Sequence, residues 1–555
     1  MPLNPDVATA GLERDVAAAP SSLAYLHKAL TINGAGPLDE CDFALTGIHA
    51  SVDVTPDGLL EAAGVMHDAS FMFECALGID RNPGLEVVYL FRALTSLQRI
   101  RMRVKLAPGE VSVPSLTSIY RGADWYEREM RDMYGFAFPG HPHLQPLLLP
   151  PALDFYPLRK DFHGQPVLLP EDQEDIPELE VREAMAMGHA SPARRDFFLN
   201  MGPQHPSTHG VLRILLHVEG EQVLGGRCHL GYSHRGTEKA AEGKQYVQLL
   251  PYTDRIDYLS PLNYNLGYAA LLERALQIEV PERAQAIRVI MAELGRISSH
   301  LVWLGTFLLD LGAITPFLYC FEDREQIMTV FERVTGQRLT TSYIVVGGVR
   351  HDVPPTFVED VRGLVKMMRA RLPEFKTLIT DNEIFVRRTV GVGKITSEQV
   401  RDFGITGPNA RGAGVDFDLR RDEPLPEYAQ LTLEIPTDSN GDCQARSMVR
   451  MHEFDASLDL IEQALLKLED GPSRAKVPRN LKVPAGEYYS ATEGPRGLVG
   501  WYLVADSSMK PYRFKVRVPS FANLQILEDL LPGHRVADVV SILGSIDVVI
   551  PEIDR

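Results

Sequence analysis

An acidic stretch between residues 171 and 183 constrains the fold of this 555-residue chain more than any other feature. It holds seven carboxylates and no aromatic residue: Glu171, Asp172, Glu174, Asp175, Glu178, Glu180 and Glu183. Such weakly apolar, like-charged sequence buries too little surface to build a core, so it stays solvated or extended. The chain also exceeds the roughly 100–200 residues of a single domain. We therefore predict domains at 20–168 and 196–555, joined by an acidic linker at 169–195.

Charge and cysteine content exclude several classes of protein. The formal net charge of −18 argues against a nucleic-acid partner, because phosphate binding needs clustered Lys and Arg. The five cysteines are scattered and form no CxxC pair, which is typical of a reduced, cytosolic chain. The first 16 residues lack a basic start followed by an apolar run, so no secretory signal is predicted. Neither GxGxxG after a strand nor GxxxxGK[ST] occurs, and no nucleotide-binding loop is expected.

The apolar stretch 301–321 imitates a membrane span. A lipid-exposed helix needs about 20 apolar residues with few interruptions. Asp310, Gly312 and Pro316 interrupt this one near its middle. We predict a buried core helix that stops near Gly312, and contact with a membrane only through partner proteins.

The hydrophobic pattern predicts an α/β first domain. Residues 85–94 and 100–106 are strand-like, and 123–136 is helical, with Trp125, Met130 and Met133 at near-helical spacing. A Pro-rich coil at 138–162 closes the domain.

The second domain is predicted to be mainly helical, with a four-helix core. A hairpin turn is indicated at Glu219-Gly220-Glu221, and Pro281 can begin a long helix without losing a hydrogen bond. Apolar residues from 287 to 304 then recur every three or four positions. Further helices are predicted at 321–335, 356–382 and 453–468, before a small β domain from about 485. The fold class is therefore α+β, multidomain.

Two short strings are candidates for chemistry. In Gly202–Gly210, His205 and His209 bracket a Pro-Ser-Thr turn before a strand. They either cap backbone groups in a tight turn or, at a rigid loop tip, present His209 to a ligand. In Tyr252–Ser260, the charges and aromatics suit N-capping and packing, which would make Tyr258 a core aromatic with a solvated hydroxyl. Taken alone, both strings favour the structural interpretation.

Asp310 is a third candidate, since a carboxylate in apolar sequence is costly unless it is paired. It either pairs locally or orients a histidine and raises its proton affinity. No HxxxH spacing is tied to a carboxylate, so no metal site is predicted.

These strings, together with several others, resemble a known family. Six strings resemble, in the same order, parts of the D subunit of bacterial complex I, the proton-pumping NADH:quinone oxidoreductase. They are GPQHPSTHGVLR, GYSHRGTEK, YTDRIDYL, ELGRISSHL, LDLGAITPF and GSIDVVIPEIDR. Two further strings, in the first domain, resemble the C subunit of the same enzyme: EREMRDMYGFAFPGHP and PLRKDF. The resemblance covers roughly residues 25–165 and 195–555, and some bacteria fuse these two subunits.

The D subunit is related to the large subunits of [NiFe] hydrogenases, and the residues test that relation. The hydrogenases bind nickel and iron through an RxCGxC motif and a later CxxC pair. Here Asp257 and Ser260 stand where the first thiolates would be, and no cysteine follows Cys443. The resemblance therefore implies that hydrogen chemistry is excluded and that the former metal cavity houses something else.

In complex I that cavity takes the quinone head group, ubiquinone or menaquinone. The resemblance implies contacts from His209 and Tyr258, a hydrogen bond between Asp310 and that histidine, Arg255 near the terminal [4Fe-4S] cluster, and a supporting role for His205. Two donors, one at each carbonyl, would hold the quinone and supply its two protons. The cluster and FMN belong to neighbouring subunits, so this chain ligates no cofactor.

The same resemblance implies partners and a location. The partners are other peripheral-arm subunits, above all the one with the terminal cluster, and the membrane-arm subunits. The chain is expected on the cytoplasmic side of the inner membrane, as a peripheral protein. Two alternatives stay open: a related enzyme with ferredoxin or a reduced deazaflavin as donor, and a structural arm subunit that keeps these residues for packing.

The chain departs from the family pattern at two places. Relatives often have a histidine after TGxR[LMF], near the cluster, whereas Thr340 and Thr341 follow TGQRL here. We expect a weaker pH dependence of the cluster's potential as a result. The segment between Pro472 and Glu493 is shorter than in relatives, which carry a helix there near the mouth of the cavity.

Overall fold

A computed structural model describes residues 23–32, 35–150, 153, 155–164, 196–203, 210–380 and 382–555. The chain forms two compact units, Met1–Gln145 with Arg401–Gly404, and Pro146–Val400 with Ile405–Arg555. The predicted acidic linker at 169–195 lies outside the described residues.

The first unit is built on a five-stranded sheet of order β1-β2-β5-β4-β3, in which only β2 and β5 are parallel. Its strands are β1 (Leu38–Glu40), β2 (Ala50–Val54), β3 (Phe71–Asp80), β4 (Leu85–Ala93) and β5 (Arg99–Lys105). Its helices are α1 (Leu23–Ile32), α2 (Phe43–Thr46), α3 (Leu59–Asp68) and α4 (Ala123–Tyr134). Every residue of β3 and β4 except Asp80 is buried, as expected for strands that are covered on both faces.

Helix α4 forms at the position that its sequence pattern predicts. Trp125, Met130 and Met133 are all buried, as their spacing predicts. Gly135 ends the helix with a φ of 76°, in the left-handed region that glycine adopts without strain. The Glu127 carboxylate accepts hydrogen bonds from Ser115 Oγ at 2.6 Å and Leu116 N at 2.8 Å. Burial raises the pKa of Glu127 to about 8.

Within its described residues, the second unit contains two three-stranded sheets and a short two-stranded ladder. The strands are β6 (Asp196–Met201), β7 (Arg213–Glu219), β8 (Gln222–His229), β9 (Ile344–Val345), β10 (Gly348–Val349), β11 (Gly486–Gly494), β12 (Gly497–Ala505) and β13 (Arg513–Arg517). Strands β7 and β8 form an antiparallel hairpin through Gly220, which has a φ of 63°, and Glu221. The sheet β11-β12-β13 packs on α7, where Gly267 leaves no room for a Cβ beside Trp501 and Thr492.

In the described part of the second unit, helices outnumber strands. The helices are α5 (Thr237–Glu242), α6 (Tyr246–Thr253), α7 (Pro261–Leu276), α8 (Glu282–Asp310), α9 (Ile314–Thr335), α10 (Phe357–Thr380), α11 (Glu383–Thr389), α12 (Ser397–Phe403), α13 (Pro408–Arg411), α14 (Leu419–Asp422), α15 (Cys443–Leu466), α16 (Pro519–Gln525), α17 (Leu527–Leu530), α18 (Val536–Ile546) and α19 (Ile550–Asp554). One large core cluster joins buried apolar side chains of α7, α8, α9, α10 and α15.

Two helices begin earlier than their sequence pattern predicts. Helix α9 starts at Ile314 and includes Pro316, because a proline in the first turn sacrifices no intrahelical hydrogen bond. Helix α15 starts ten residues before 453, capped by the Asp442 carboxylate, which accepts from Ala445 N at 2.8 Å. The apolar period is hidden there because Arg446 and Arg450 occupy buried positions.

Helix α8 ends at Asp310, and Gly312 follows with a φ of 96°. Its apolar face packs into the core of the unit. Across the part of the chain that the structure describes, no helix combines the length and the apolarity that a membrane crossing requires.

Candidate functional site

The segment Asp254–Ser260, between α6 and α7, presents two side chains at the surface and buries most of the others. Tyr258 is 40% exposed and the Arg255 side chain is 50% exposed. Asp254, Ile256, Asp257 and Ser260 are all buried. Tyr258 is therefore not a core aromatic, although several of its neighbours along the chain are core residues.

Asp257, the residue before Tyr258, forms a fully buried ion pair. Its Oδ2 lies 2.8 Å from Nη1 of Arg496, and both side chains are 1% exposed. Arg496 Nη2 donates to Ser299 Oγ at 3.0 Å, and Asp257 Oδ1 accepts from Leu259 N at 3.0 Å. The ion pair joins the segment that carries Tyr258 to the turn between β11 and β12.

The buried charges extend beyond this pair. Asp547 Oδ1 lies 3.6 Å from Arg496 Nη2, and Asp547 Oδ2 lies 3.8 Å from Arg450 Nε. Although burial opposes the charge, Asp257 and Asp547 raise the pKa of Arg496, so its guanidinium stays protonated. Glu552 accepts from Ser520 Oγ at 2.9 Å. Burial and then Asp257 raise the pKa of Glu552 to about 7.

The hydroxyl of Tyr258 is the group that this arrangement leaves available. It makes no hydrogen bond to any of the residues that the structure describes, and it lies at a partly exposed position. Burial raises the pKa of Tyr258, Asp257 raises it further, and Arg496 lowers it. At neutral pH the hydroxyl is therefore protonated and able to donate to a ligand.

The side chains of Asp257 and Ser260 do not suit a transition metal. Asp257 is engaged by Arg496, and Ser260 Oγ accepts from Asn263 Nδ2 at 2.7 Å. Soft thiolate ligands are missing at these positions. Among the described residues, no group of three or more His, Cys, Asp and Glu side chains is arranged to hold a metal ion.

Arg255 lies on the exposed side of the same segment. Its Nη1 donates to the Pro251 carbonyl at 2.7 Å, and its carbonyl accepts from Arg235 Nη2 at 2.9 Å. The carboxylate of the preceding Asp254 is 3.8 Å away and is also bonded to the Ser342 hydroxyl. Arg255 thus places a positive charge at the surface, close to Tyr258 in sequence.

The other predicted site residues lie elsewhere in the sequence. Asp310 is the last residue of α8 and is partly buried. His205 and His209 lie outside the described residues. Thr340 is partly buried and Thr341 is 5% exposed, in the loop that follows α9.

The shortened segment after Pro472 lines a cavity of about 590 Å³. Apolar walls are supplied by Leu250 of α6 and by Val345, and the lining also includes Arg350, Arg474 and Arg479. The segment after Pro472 is therefore one wall of an open cavity.

Three residues of the site were missed by sequence reasoning: Arg496, Asp547 and Ser299. Asp257 and Arg496 are 239 positions apart, and no periodic pattern pairs residues at that separation. The sequence features that could have identified these residues were weak. Arg496 sits in a Gly-Pro-Arg-Gly turn, and Asp547 lies inside the terminal GSIDVVIPEIDR string.

Models of known protein families match parts of both units. The family described as "Respiratory-chain NADH dehydrogenase, 49 Kd subunit" matches residues 310–481 and 475–555. The family described as "Respiratory-chain NADH dehydrogenase, 30 Kd subunit" matches residues 52–167. The two stretches of the first match meet within the shortened segment.

Among individual relatives, some are fused C/D subunits and another is a D subunit alone. The C/D subunit of the NADH-quinone oxidoreductase of Pseudomonas fluorescens is 37% identical over 502 residues, 84% of each chain. That of Pseudomonas aeruginosa is 38% identical, over 84% of this chain and 85% of its own. The D subunit of the NADH-quinone oxidoreductase of Syntrophobacter fumaroxidans is 51% identical over 360 residues, 65% of this chain and 96% of its own.

Proposed function

The chain belongs to the family of fused C and D subunits of NADH-quinone oxidoreductase, and we propose that its second unit forms the quinone head-group site of that enzyme. As a subunit of this respiratory complex, it takes part in NADH:quinone oxidoreduction. One observation carries the proposal. Tyr258 is a half-exposed residue of an otherwise mostly buried segment, its hydroxyl is not used within the described structure, and a buried ion pair holds the residue beside it.

The chemistry of a quinone suits this arrangement. Reduction to the quinol adds two electrons and two protons, and the charge develops on the two carbonyl oxygens. The Tyr258 hydroxyl donates to one oxygen and the imidazole of His209 to the other, and each then gives up a proton. Asp310 orients His209 and raises its proton affinity, and His205 supports the same loop.

The electrons come from a terminal [4Fe-4S] cluster in a neighbouring subunit, and FMN in another subunit oxidises NADH. Arg255, half exposed beside Tyr258, supplies a fixed positive charge towards that cluster. The partners are thus the other peripheral-arm subunits and the membrane-arm subunits. The chain works as a peripheral protein on the cytoplasmic side of the inner membrane, with residues 169–195 linking a C-like domain at 20–168 to a D-like domain at 196–555.

The test replaces the two proposed donors in the assembled enzyme. In Tyr258→Phe and His209→Ala, NADH:quinone activity is expected to fall by about 10²–10⁴-fold, the usual effect of losing a general acid. NADH oxidation by an artificial acceptor that takes electrons at the flavin should stay unchanged, which controls for assembly. Full quinone activity in both variants would favour a structural arm subunit.

The same preparation tests the electron donor. Quinone reduction that requires reduced ferredoxin or a reduced deazaflavin, and does not proceed with NADH, would assign the related enzyme class.

A further inference from the structure

We propose that the acidic segment 171–183 binds in the arginine-lined cavity of the second unit, as an intramolecular ligand of the same chain. The cavity is the space of about 590 Å³ beside the segment that follows Pro472. The inference goes beyond the proposed function, because neither the cavity nor the acidic segment includes a residue of the proposed quinone site. The contact anchors the linker to the second unit at a point between its two ends.

Buried apolar side chains and exposed basic ones line this cavity together. Its apolar walls include three side chains that are at most 8% exposed: Leu250 of α6, Val345 of β9 and the adjacent Val346. Its basic walls are formed by three exposed arginines: Arg350, Arg474 and Arg479. The volume lies in the range of about 300–1,000 Å³ that is usual for ligand pockets. These walls suit a ligand that carries both carboxylates and aliphatic groups.

The three arginines have no acidic partner within the part of the chain that the structure describes. Their guanidinium groups make no ion pair and no hydrogen bond to any described residue. Asp352, two residues after Arg350, is engaged by Arg283 at 3.0 Å. Lys476, on the same segment as the other two arginines, is also exposed and unpaired among the described residues. Because the chain as a whole has a net charge of −18, four clustered cations without a counter-charge favour an acidic ligand.

Main-chain donors beside the cavity favour a peptide over a small anion. Ala475 N donates to the Gly347 carbonyl at 2.8 Å, which adds this segment to the β9-β10 ladder. The next two N–H groups, of Lys476 and Val477, make no main-chain hydrogen bond to a described residue. An extended peptide can pair with such an edge while its side chains enter neighbouring pockets.

The acidic segment supplies both kinds of group that the cavity can bind. It holds seven carboxylates against one cation, Arg182, and its composition predicts an extended chain. Two aliphatic residues, Ile176 and Leu179, lie among the carboxylates. The carboxylates would meet the arginines, while these two side chains contact the apolar walls. The match in charge and in apolar content commits the cavity to this segment.

The described chain that precedes the acidic segment is anchored to a loop that also supports the cavity. Lys160 Nζ donates to the Tyr512 carbonyl and lies 4.1 Å from the centre of the Tyr512 ring. Tyr246, which lines the cavity, donates from its N–H to the Met509 carbonyl at 3.2 Å, three residues before Tyr512. From Lys160 to Glu171 an extended chain spans about 35 Å, at ~3.3 Å per residue. The acidic segment is therefore within reach of the cavity.

The tether explains how exposed charges can hold the segment. Exposed ion pairs are individually weak, and each contributes only a few-fold to binding. A short flexible connection raises the local concentration of a ligand to the millimolar range, so several weak contacts suffice. Binding that depends on exposed charges must also weaken at high ionic strength, because salt screens them.

The first experiment is zero-length cross-linking of the purified full chain with a carbodiimide, which joins a carboxylate to a lysine amine in direct contact. We expect a cross-link between segment 171–183 and Lys476, and its loss at high ionic strength. A mixture of isotope-labelled and unlabelled chains shows by mass spectrometry whether the two cross-linked peptides come from one chain. We expect cross-links within single chains.

The second experiment reverses the charges of the cavity. In Arg474→Glu with Arg479→Glu, both changes are at exposed positions, and the cross-link should fall by about 10-fold because two attractive contacts become repulsive. Amide hydrogens of 171–183 should exchange about 10-fold faster, for the same reason. Adding Glu174→Arg and Glu178→Arg to this variant should restore both signals.

A matched control is Arg362→Glu with Lys366→Glu. Both residues are exposed on α10, and the substitutions change the net charge by the same amount. The control should keep the cross-link and the exchange rates of the unmodified chain. An equal loss of the cross-link in the control would mean that net charge alone holds the segment, which would overturn the inference.

Three further results would also overturn it. One is the absence of the cross-link in the unmodified chain, or its persistence in the Arg474/Arg479 variant. Cross-links that join labelled to unlabelled chains would assign the cavity to a second copy. In the assembled enzyme, cross-links from Lys476 to another subunit, with none to 171–183, would assign it to a partner protein.

Discussion

Two buried ionic clusters in the second unit use the same three kinds of side chain, carboxylate, arginine and tyrosine, in different ways. In the core cluster, Glu293 is bound by Arg296 and Arg420, each at 3.0 Å, and by the hydroxyl of Tyr428 at 2.7 Å. In the site cluster, Asp257 is bound by Arg496 at 2.8 Å, but the adjacent Tyr258 donates to no described residue. Tyr428 is 5% exposed and Tyr258 is 40% exposed.

The difference separates a cluster whose polar groups satisfy one another from a cluster that leaves a tyrosine hydroxyl available. In the core, Glu293 accepts from both arginines, from Tyr428 and also from Ser457 Oγ at 2.7 Å. Burial raises the pKa of Glu293, but Arg296 and Arg420 outweigh it and lower the pKa overall. At the site, the ion pair satisfies the carboxylate and the tyrosine hydroxyl remains available. A tyrosine beside a buried ion pair is thus a functional candidate when its own hydroxyl is not consumed.

The largest expected effect is on stability, in the core cluster. Arg420→Met leaves Glu293 and Asp418 buried with one counter-charge fewer, which should cost about 3–5 kcal/mol of unfolding free energy. Denaturant unfolding of the purified chain measures it. Enzyme that still assembles should keep its quinone kcat, whereas a specific loss of kcat at unchanged stability would erase the distinction between the clusters.

The paired tyrosine variants test the comparison directly. Tyr428→Phe removes a buried donor to Glu293 and should cost about 1–3 kcal/mol of stability, with no effect on quinone reduction per assembled enzyme. Tyr258→Phe should leave stability within about 0.5 kcal/mol, as for exposed positions, and should lose quinone reduction. Thermal unfolding measures the stability of both variants, and NADH:quinone assays measure their activity. The opposite pattern would contradict our assignment of the two tyrosines.

The two clusters should also respond to pH with opposite signs. The pKa of Glu552 is about 7 in the folded chain, above the ordinary 4.5 of a glutamate. Its contribution to stability is therefore full below pH 4.5 and is lost as pH rises through 7. Glu293, whose pKa is lowered, contributes stability that is lost on acidification. Glu552→Gln should flatten the pH dependence of the unfolding free energy between about pH 5 and 7, and an unchanged slope would show that Glu552 does not titrate there.

The smallest expected effect concerns the neighbouring cluster's potential. With Thr340 and Thr341 in place of a histidine, a redox titration of the assembled enzyme should show a shallow slope with pH near neutrality. Thr340→His should introduce a slope, because an imidazole changes its charge in that range. A steep slope in the unmodified enzyme would mean that another group near the cluster titrates.

Much of the fold could be predicted from the sequence, because local patterns report local structure. The apolar period from 287 to 304 lies within α8, and the spacing of Trp125, Met130 and Met133 lies within α4. The pattern failed where polar residues are buried, as in the first turns of α15. Arg446 and Arg450 face inward there, bound to main-chain carbonyls.

The site depended on sequence in a different way. Residue types alone favoured a turn histidine and a core aromatic, and only the resemblance of the ordered motifs to complex I singled out His209 and Tyr258. The same resemblance placed Asp257 and Ser260 where related hydrogenases have thiolates. The sequence by itself therefore determined the family, most of the long helices and the candidate residues.

Only the tertiary structure decided which of these residues are available for chemistry. Availability depends on burial and on hydrogen-bond partners that come from remote parts of the chain. Asp257 meets Arg496 across 239 positions, and Tyr428 reaches Glu293 across 135. Such pairs form because a buried charge or hydroxyl must find a partner in space, and no short-range pattern in the sequence encodes which partner the fold will supply.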